Sequence, residues 1–233
     1  IVTILTVGVI TWLGFKYHTT SQMVVFSSTV MYAFAGSLIL TGPFLMCLTR
    51  FLADQNYRGW IDQRAILGLS QLIMGGVAFL IGISVVPWLL PDGLPFPRVY
   101  EMSAVVLFSS LCVLWSVLSY LDFQKKMAVT FYSFVGSAAV SMALAHVFQK
   151  TMGVPGLLAG IAAGMTLLVI FLLCMCLLPF KKKWAWPTNV GVFKNESKKF
   201  IGLAAIGLLY NTGVWIDKNF LWIARGEPIG NGA

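Results

Sequence analysis

Charged side chains are scarce in this sequence, and their scarcity excludes a soluble globular domain. Only 10% of the 233 residues are Asp, Glu, Lys or Arg, whereas a typical soluble domain contains about 25%. Hydrophobic residues make up 58% of the chain, and its mean hydropathy is +0.85. This composition predicts an all-α fold class, a polytopic membrane protein whose helices form a bundle in a lipid bilayer.

Metal ligands and paired thiols are also few. The chain has only two histidines, His18 and His146, and its four cysteines all lie inside apolar runs without a C-x-x-C pair. Because a metal site needs clustered ligands, we expect no metal, no cofactor and no disulfide. The sequence also has no nucleophile–base set and no pair of intramembrane carboxylates, which makes a membrane enzyme the least favoured class.

Seven apolar runs are present instead. They cover residues 1–15, 22–48, 65–90, 102–121, 128–148, 154–178 and 200–222. A membrane span needs about 20 residues, so the first run is short, and it begins at Ile1 without a Met. We therefore expect the chain to be a fragment of a longer protein, with its first span truncated.

Glycine and proline mark two of these runs. Gly42-Pro43 lies inside the second run and predicts a kink or a local opening of that helix. In the sixth run, Gly156, Gly160 and Gly164 repeat at four-residue spacing. Such a ridge of small residues is typical of a helix that another helix approaches closely.

Lysine and arginine are distributed unevenly among the loops. Eleven of them follow the second, fourth and sixth runs, and three follow the first, third and fifth. The positive-inside rule places the first group in the cytoplasm. We attribute the net charge of +8 to this topology, since no aromatic-interleaved basic patch predicts a nucleic-acid partner.

Two cytoplasmic segments are candidate docking surfaces. Arg50 and Asp54 are four residues apart and can pair on a helical extension of the second run, although a solvated loop helix is the favoured interpretation. The most basic loop contains Lys181, Lys182 and Lys183.

The order of the runs predicts the domain organisation. Six runs form a closed set with both ends in the cytoplasm, and a basic segment separates them from the seventh. We predict an amino-terminal six-span lobe over residues 1–199, with a basic inter-lobe linker at 180–199, and the first span of a second lobe over 200–233. A transporter built from two parallel repeats has this layout.

An acid and a base lie side by side in the seventh run. Asp217 is the only acid inside an apolar run, and Lys218 follows it. An ionisable side chain in hydrocarbon is usually paired, turned to a cavity or functional. On a helix, Asn211, Trp215 and Lys218 form one stripe, and Tyr210 and Asp217 belong to the neighbouring stripe. These five residues are the candidate lining of a substrate pathway.

The same residues have a second interpretation. A helix that starts near Lys199 places Asp217 eighteen residues further on, or about 27 Å, near the far side of a hydrocarbon core that is about 30 Å thick. Trp215 would then belong to an aromatic belt, and Lys218 would reach the interface with its long stem. Spacing alone leaves both interpretations open.

Two blocks of sequence resemble one transporter family. Residues 37–42 (SLILTG) and 49–54 (TRFLAD) resemble the second span and first cytoplasmic loop of the Pel exopolysaccharide inner-membrane transporter family, PelG. Residues 207–211 (GLLYN) and 213–218 (GVWIDK) resemble that family's seventh span. The two blocks occupy matching positions in the span order, and between them the resemblance is one of hydropathy profile.

The family is similar to the MOP (MATE-like) flippase superfamily, whose members have twelve spans in two six-span lobes around a central cavity. The resemblance implies that this chain is the amino-terminal lobe plus the first span of the second lobe. It also implies export of a cationic, partly acetylated hexosamine polymer across the bacterial inner membrane for the biofilm matrix. The implied partners are this polysaccharide, a cytoplasmic glycosyltransferase, other Pel inner-membrane subunits and the lipid bilayer.

Two alternative functions stand beside export of a Pel-type polymer. A non-transporting scaffold would anchor the polysaccharide synthase, with the basic loop around residues 181–199 as its docking surface. A lipid-linked oligosaccharide flippase or a multidrug exporter of the same superfamily would share the fold but carry a different substrate.

Overall fold

The computed structural model describes residues 2–15, 17–57, 64–89, 97–123, 125, 127–177 and 200–225. Its helices are α1 (Val2–Phe15), α2 (Thr20–Tyr57), α3 (Arg64–Leu89), α4 (Pro97–Phe123), α5 (Met127–Met152), α6 (Val154–Leu177) and α7 (Ile201–Arg225). Within these residues there is no strand, and each apolar run corresponds to one helix. The predicted all-α fold class is confirmed.

The lengths of the helices match a membrane protein. By length and composition, α2, α3, α4, α5 and α6 each contain a segment that can cross a bilayer. In α7 the apolar segment found over residues 201–216 is shorter. The chain is therefore a polytopic helical membrane protein.

Two helices extend beyond their apolar runs. α2 continues past Leu48 to Tyr57, and on this extension Arg50 and Asp54 form an ion pair with an N···O distance of 3.3 Å. α4 begins at Pro97, one turn before the apolar run starts at Met102. Proline is favoured at the first position of a helix, where its missing N–H would have no partner in any case.

α2 passes through Gly42-Pro43 as one helix. Pro43 has no N–H to donate to the carbonyl of Ile39, yet helical structure continues on both sides of it. The predicted local opening therefore does not divide the element.

α4 is the central helix of the bundle. It packs against α2, α3 and α6, and its residues Tyr100, Leu107 and Val117 are completely buried. α5 packs mainly on α6 and also on α1, while α7 packs on α2. The core thus follows the line α2–α4–α6, with α3, α5 and α7 attached to it.

Hydrogen bonds between side chains connect α4 to both core neighbours. They join Tyr100 to Thr29 of α2 at 2.8 Å, Trp115 to Ser37 of α2 at 3.0 Å, and Ser110 to Thr166 of α6 at 2.9 Å. Such bonds between membrane helices are worth roughly 0.6–2 kcal/mol each. They add a fixed register to helices that apolar packing alone would hold less specifically.

The predicted glycine ridge of α6 is the surface on which α5 packs. A Cβ atom placed on its three glycines would run into α5, with Gly156 facing Phe148, Gly160 facing Ala145 and Gly164 facing Ser141. The carbonyl of Gly164 also accepts a hydrogen bond from Ser137 at 3.0 Å. The prediction that another helix approaches this ridge closely is confirmed.

Many hydroxyl side chains within the helices bond to their own backbone. Each donates to the carbonyl four residues earlier at 2.7–3.1 Å: Thr11, Thr29, Ser84, Ser103, Ser109, Ser119, Ser133 and Thr166. These polar groups are thereby satisfied without water.

One polar contact joins the α1–α2 turn to the α5–α6 turn. The Nε2 atom of His18 lies 3.2 Å from the Nε2 atom of Gln149, near the end of α5. Gly153 follows in the left-handed conformation, with φ of 67°, and a Cβ there would touch the His18 ring. Partial burial lowers the pKa of His18 below its usual value of 6.5.

Candidate substrate pathway

α7 is attached to the bundle through a contact between two glycines. Gly207 is buried against Gly42 of α2, and a Cβ at Gly42 would lie 2.8 Å from the Gly207 carbonyl oxygen. The same Cβ would run into the side-chain amide of Asn211. Because neither glycine has a side chain, the two backbones approach closely at this point.

The predicted polar face of α7 is divided into two rows. Asn211 is half-buried beside Gly42, and its Nδ2 donates to the Gly207 carbonyl at 3.1 Å. Trp215 is also half-buried and lies one turn further along the same row. Tyr210 and Val214 form the second row, where Tyr210 is 65% exposed. The structure therefore places Asn211 in the α2 contact and Tyr210 on the open surface.

The charged pair of α7 is described by its backbone only. Asp217 and Lys218 lie on the helix, but their side chains fall outside the described part of the structure. Asp217 is sixteen residues from the helix start at Ile201, or about 24 Å. This distance is compatible with a pathway-lining position and with an interfacial one, so both interpretations stand.

The candidate docking residues lie at the predicted cytoplasmic side. Arg50 is exposed and Asp54 is half-buried on the last turns of α2, where an ion pair of this spacing is worth about 0.3–0.5 kcal/mol. Lys181, Lys182 and Lys183 lie outside the described residues.

An apolar cleft, which the sequence did not predict, lies beside the contact between Gly42 of α2 and Gly207 of α7. α2 and α3 both pack on α4 but hardly touch each other, which leaves a cavity of about 440 Å³ between them. Its floor includes Gly36, Ala104 and Phe108, and Leu208 of α7 contributes to its wall. Gly36 and Gly82, which interrupt two apolar runs, were the available sequence signal, but they do not show where helices sit side by side.

The cleft is chemically unsuited to a sugar chain. Its polar side chains are Thr29 and Tyr32. The Thr29 hydroxyl donates to the Val25 carbonyl and accepts from Tyr100. Sugar binding needs several hydrogen-bonding partners, and the other lining residues of the cleft are apolar. The exposed row of Tyr210 and Val214 on α7 is therefore the better candidate surface.

The possible metal ligands and the thiols are dispersed in the described part of the chain. No group of three or more His, Cys, Asp or Glu side chains there could hold a metal ion. Cys47, Cys112 and Cys176 are buried and Cys174 is exposed, and all four lie outside any disulfide.

The long apolar helices, which are joined by interhelical hydrogen bonds, identify the class of this protein. It is a multi-pass membrane protein. Residues 1–230 match the PelG family, whose description is Putative exopolysaccharide Exporter (EPS-E). The chain belongs to the PelG family, as the two sequence blocks predicted, and this membership supports a role in polysaccharide transport. No curated protein and no solved structure matched the chain.

Proposed function

We propose that this chain exports a hexosamine-rich, Pel-type exopolysaccharide across the bacterial inner membrane for the biofilm matrix. The observation that carries the proposal is the family match over residues 1–230. The five helices that are long and apolar enough to span a bilayer support a membrane location. Because the family is one of exporters, a transporter is favoured over an enzyme.

In this proposal the open face of α7 forms one wall of the polymer pathway. α7 contacts the bundle through the Asn211 row and leaves the row of Tyr210 and Val214 exposed. Residues 1–199 form the amino-terminal lobe, and residues 200–233 begin the second lobe. The exposed row then faces the space between the lobes.

The residue chemistry of α7 suits a cationic sugar polymer. The Asp217 carboxylate attracts the ammonium groups of deacetylated hexosamines. The exposed ring of Tyr210, and the exposed part of the half-buried Trp215, offer aromatic faces on which a sugar ring can stack. Lys218 partly offsets the acid, which keeps each contact weak enough to release. Adjacent helix residues diverge by about 100°, so Asp217 and Lys218 need not form a tight pair. Asn211 holds the helix in place at Gly42.

The proposed partners are a cytoplasmic glycosyltransferase and other Pel inner-membrane subunits. The docking surface would consist of two segments at the predicted cytoplasmic side. One is the basic segment that contains residues 181–183, and the other is the end of α2 with the Arg50–Asp54 ion pair. Polymer would then pass directly from the synthase into the exporter.

The test is a pair of variants in α7 assayed for polymer secretion. Asp217→Asn keeps the size of the side chain but removes its charge, so secretion should fall several-fold at unchanged protein abundance. Lys218→Ala should have a smaller or an opposite effect. Leu209→Ala is the matched control, because Leu209 is 70% exposed on the apolar side of the same helix and should secrete normally.

Three outcomes would contradict parts of this proposal. Normal secretion by Asp217→Asn at normal abundance would leave the interfacial interpretation of the pair. Equal loss of abundance in both charge variants would make the pair a structural anchor. If charge reversal at residues 181–183 abolished synthase docking while all α7 variants secreted normally, the chain would be a scaffold.

A further inference from the structure

A second, open groove lies between α4 and α6, separate from α7. Its volume is about 740 Å³. The floor includes the buried residues Ser103 and Ala162, and the rims include Met102 and Leu167, which are about half exposed. On the α6 side, Ala159 and Ala163 complete the lining with small side chains. The groove is therefore a shallow channel with an alanine-rich wall.

The polar side chains in this groove are already satisfied. Ser103 donates to the Val99 carbonyl at 2.7 Å. Thr166 donates to the Ala162 carbonyl at 2.8 Å and shares a second hydrogen bond with Ser110 at 2.9 Å. The middle of the groove consequently favours a hydrocarbon chain over a sugar or another polar ligand.

One end of the groove carries a cation. Arg98, on the first turn of α4, is exposed and is the charged residue of the lining. Glu101 follows three residues later, but the ion pair found among the described residues joins Arg50 and Asp54 instead. The Arg98 guanidinium is thus available, within the described structure, to an anion outside the protein.

The dimensions relate this cation to the bilayer. From Arg98 to Val106 the groove follows eight residues of α4, or about 12 Å, and one leaflet of the hydrocarbon core is about 15 Å deep. An anion at Arg98 lies at the membrane surface, and a chain that descends along the groove stays within the same leaflet.

We propose that the α4–α6 groove is a binding site for an anionic phospholipid. The guanidinium of Arg98 binds the headgroup phosphate. Its planar set of N–H donors suits bidentate contact with phosphate oxygens. One acyl chain lies over Ala159, Ala162 and Ala163. With the predicted orientation of the chain, the lipid belongs to the outer leaflet of the membrane.

The test compares two lipids with identical acyl chains on the purified full-length protein. Native mass spectrometry counts phosphatidylglycerol and phosphatidylcholine retained per protein. The wild type should retain more phosphatidylglycerol, and Arg98→Gln should lower that retention about fivefold, the ratio expected for one cation at a membrane surface. Arg98→Lys should keep most of it. Arg50→Gln is the matched control, because Arg50 is an exposed arginine paired with Asp54, and it should retain the wild-type ratio.

A second variant tests the groove without changing the charge. Ala163→Leu places a larger side chain on the half-buried α6 wall, so retention of both lipids should fall. Equal retention of the two lipids by the wild type, or wild-type retention by Arg98→Gln, would overturn the site. If Arg98→Gln lost the lipid but Ala163→Leu kept it, the headgroup contact would lie outside the groove. A photocrosslinker introduced at position 163 identifies the occupant directly. Capture of one protein partner per chain, in place of lipid, would also overturn the site.

Discussion

At the residue scale, polar side chains in this bundle serve as links between apolar helices. Thr29 shows how this works: its hydroxyl donates to the Val25 carbonyl of its own helix and still accepts a hydrogen bond from Tyr100 of α4. Tyr100 is completely buried, so its hydroxyl would be costly without that partner. A pair of this kind fixes where α4 starts against α2, and the apolar surfaces around it supply the remaining contact.

His18 is the residue whose protonation should affect stability. Burial lowers its folded-state pKa below the usual 6.5, so the unfolded chain binds a proton more readily than the folded one. Stability is therefore full above about pH 6.5 and falls as the pH drops below it. We expect the unfolding midpoint of the purified protein to fall more between pH 7.5 and 5.5 in the wild type than in His18→Gln.

The other histidine supplies the control for this experiment. His146 lies exposed on α5, one turn before Gln149, and the contact with His18 is made by Gln149 instead, so His146→Gln should keep the wild-type response to pH. If the unfolding midpoint depended on pH identically in the wild type and in His18→Gln, protonation of His18 would not affect the stability of the protein.

At the scale of the elements, the helices differ in how many neighbours hold them. α3 is attached mainly through α4, and the apolar cleft separates it from α2. α3 also contains Gln71, whose buried side-chain amide has no hydrogen-bond partner for either its nitrogen or its oxygen among the described residues. A buried unpaired polar group costs about 1–3 kcal/mol, so Gln71 lowers the stability of α3 in the bundle.

The α5–α6 pair is held in the opposite way, by contact between backbones. Gly160→Leu should lower the stability of the protein by roughly 1–3 kcal/mol, as overpacking does, because even a Cβ at this position runs into the Ala145 backbone. Thermal unfolding in detergent and the amount of inserted protein measure the effect.

Gly136→Leu is the matched control on the partner helix. A Cβ at Gly136 meets no atom within 4 Å, so the substitution should be neutral or stabilising by up to about 1 kcal/mol of helix propensity. If Gly160→Leu unfolded at the same temperature as Gly136→Leu, the close packing of α5 on the glycine ridge of α6 would contribute nothing to the stability of the protein.

At the scale of the whole molecule, the charge distribution predicts the orientation in the membrane. Eleven Lys and Arg residues follow the second, fourth and sixth runs, and three follow the first, third and fifth. Cysteines introduced as Arg58→Cys and Lys182→Cys should react with an impermeant reagent only from the cytoplasm, and Asp92→Cys only from outside. The exposed native thiol Cys174 is first replaced by alanine. Reversed labelling at either side would overturn the orientation.

The sequence predicted the helices well because span length and hydropathy are local properties. The beginning of α4 was missed by five residues, since Arg98 and Glu101 resemble a loop until Tyr100 is seen to be buried against Thr29. The extension of α2 to Tyr57 was allowed by the spacing of Arg50 and Asp54, and the ion pair confirms that possibility.

The candidate site was harder to predict because a helix pattern does not identify the neighbouring helix. Periodicity placed Asn211 and Trp215 in one row, but it could not show that Asn211 packs on Gly42 while Tyr210 stays exposed. The cleft between α2 and α3 arises from lateral placement on α4, and no local pattern in the sequence encodes that placement. The pathway role of Asp217 and Lys218 stays a prediction.

The hydroxyl groups that bond to their own helix have a consequence for biogenesis. Side chains such as Ser84, Ser109 and Ser133 have an acceptor four residues away on the same helix, so each partner is present as soon as a single helix forms. A nascent span can therefore leave the insertion machinery and enter lipid before its neighbours have been synthesised. The bonds between helices, such as Trp115 to Ser37, form only later, when the inserted helices assemble. The hydroxyls that bond to their own helix therefore add no unpaired polar group when a single span enters lipid.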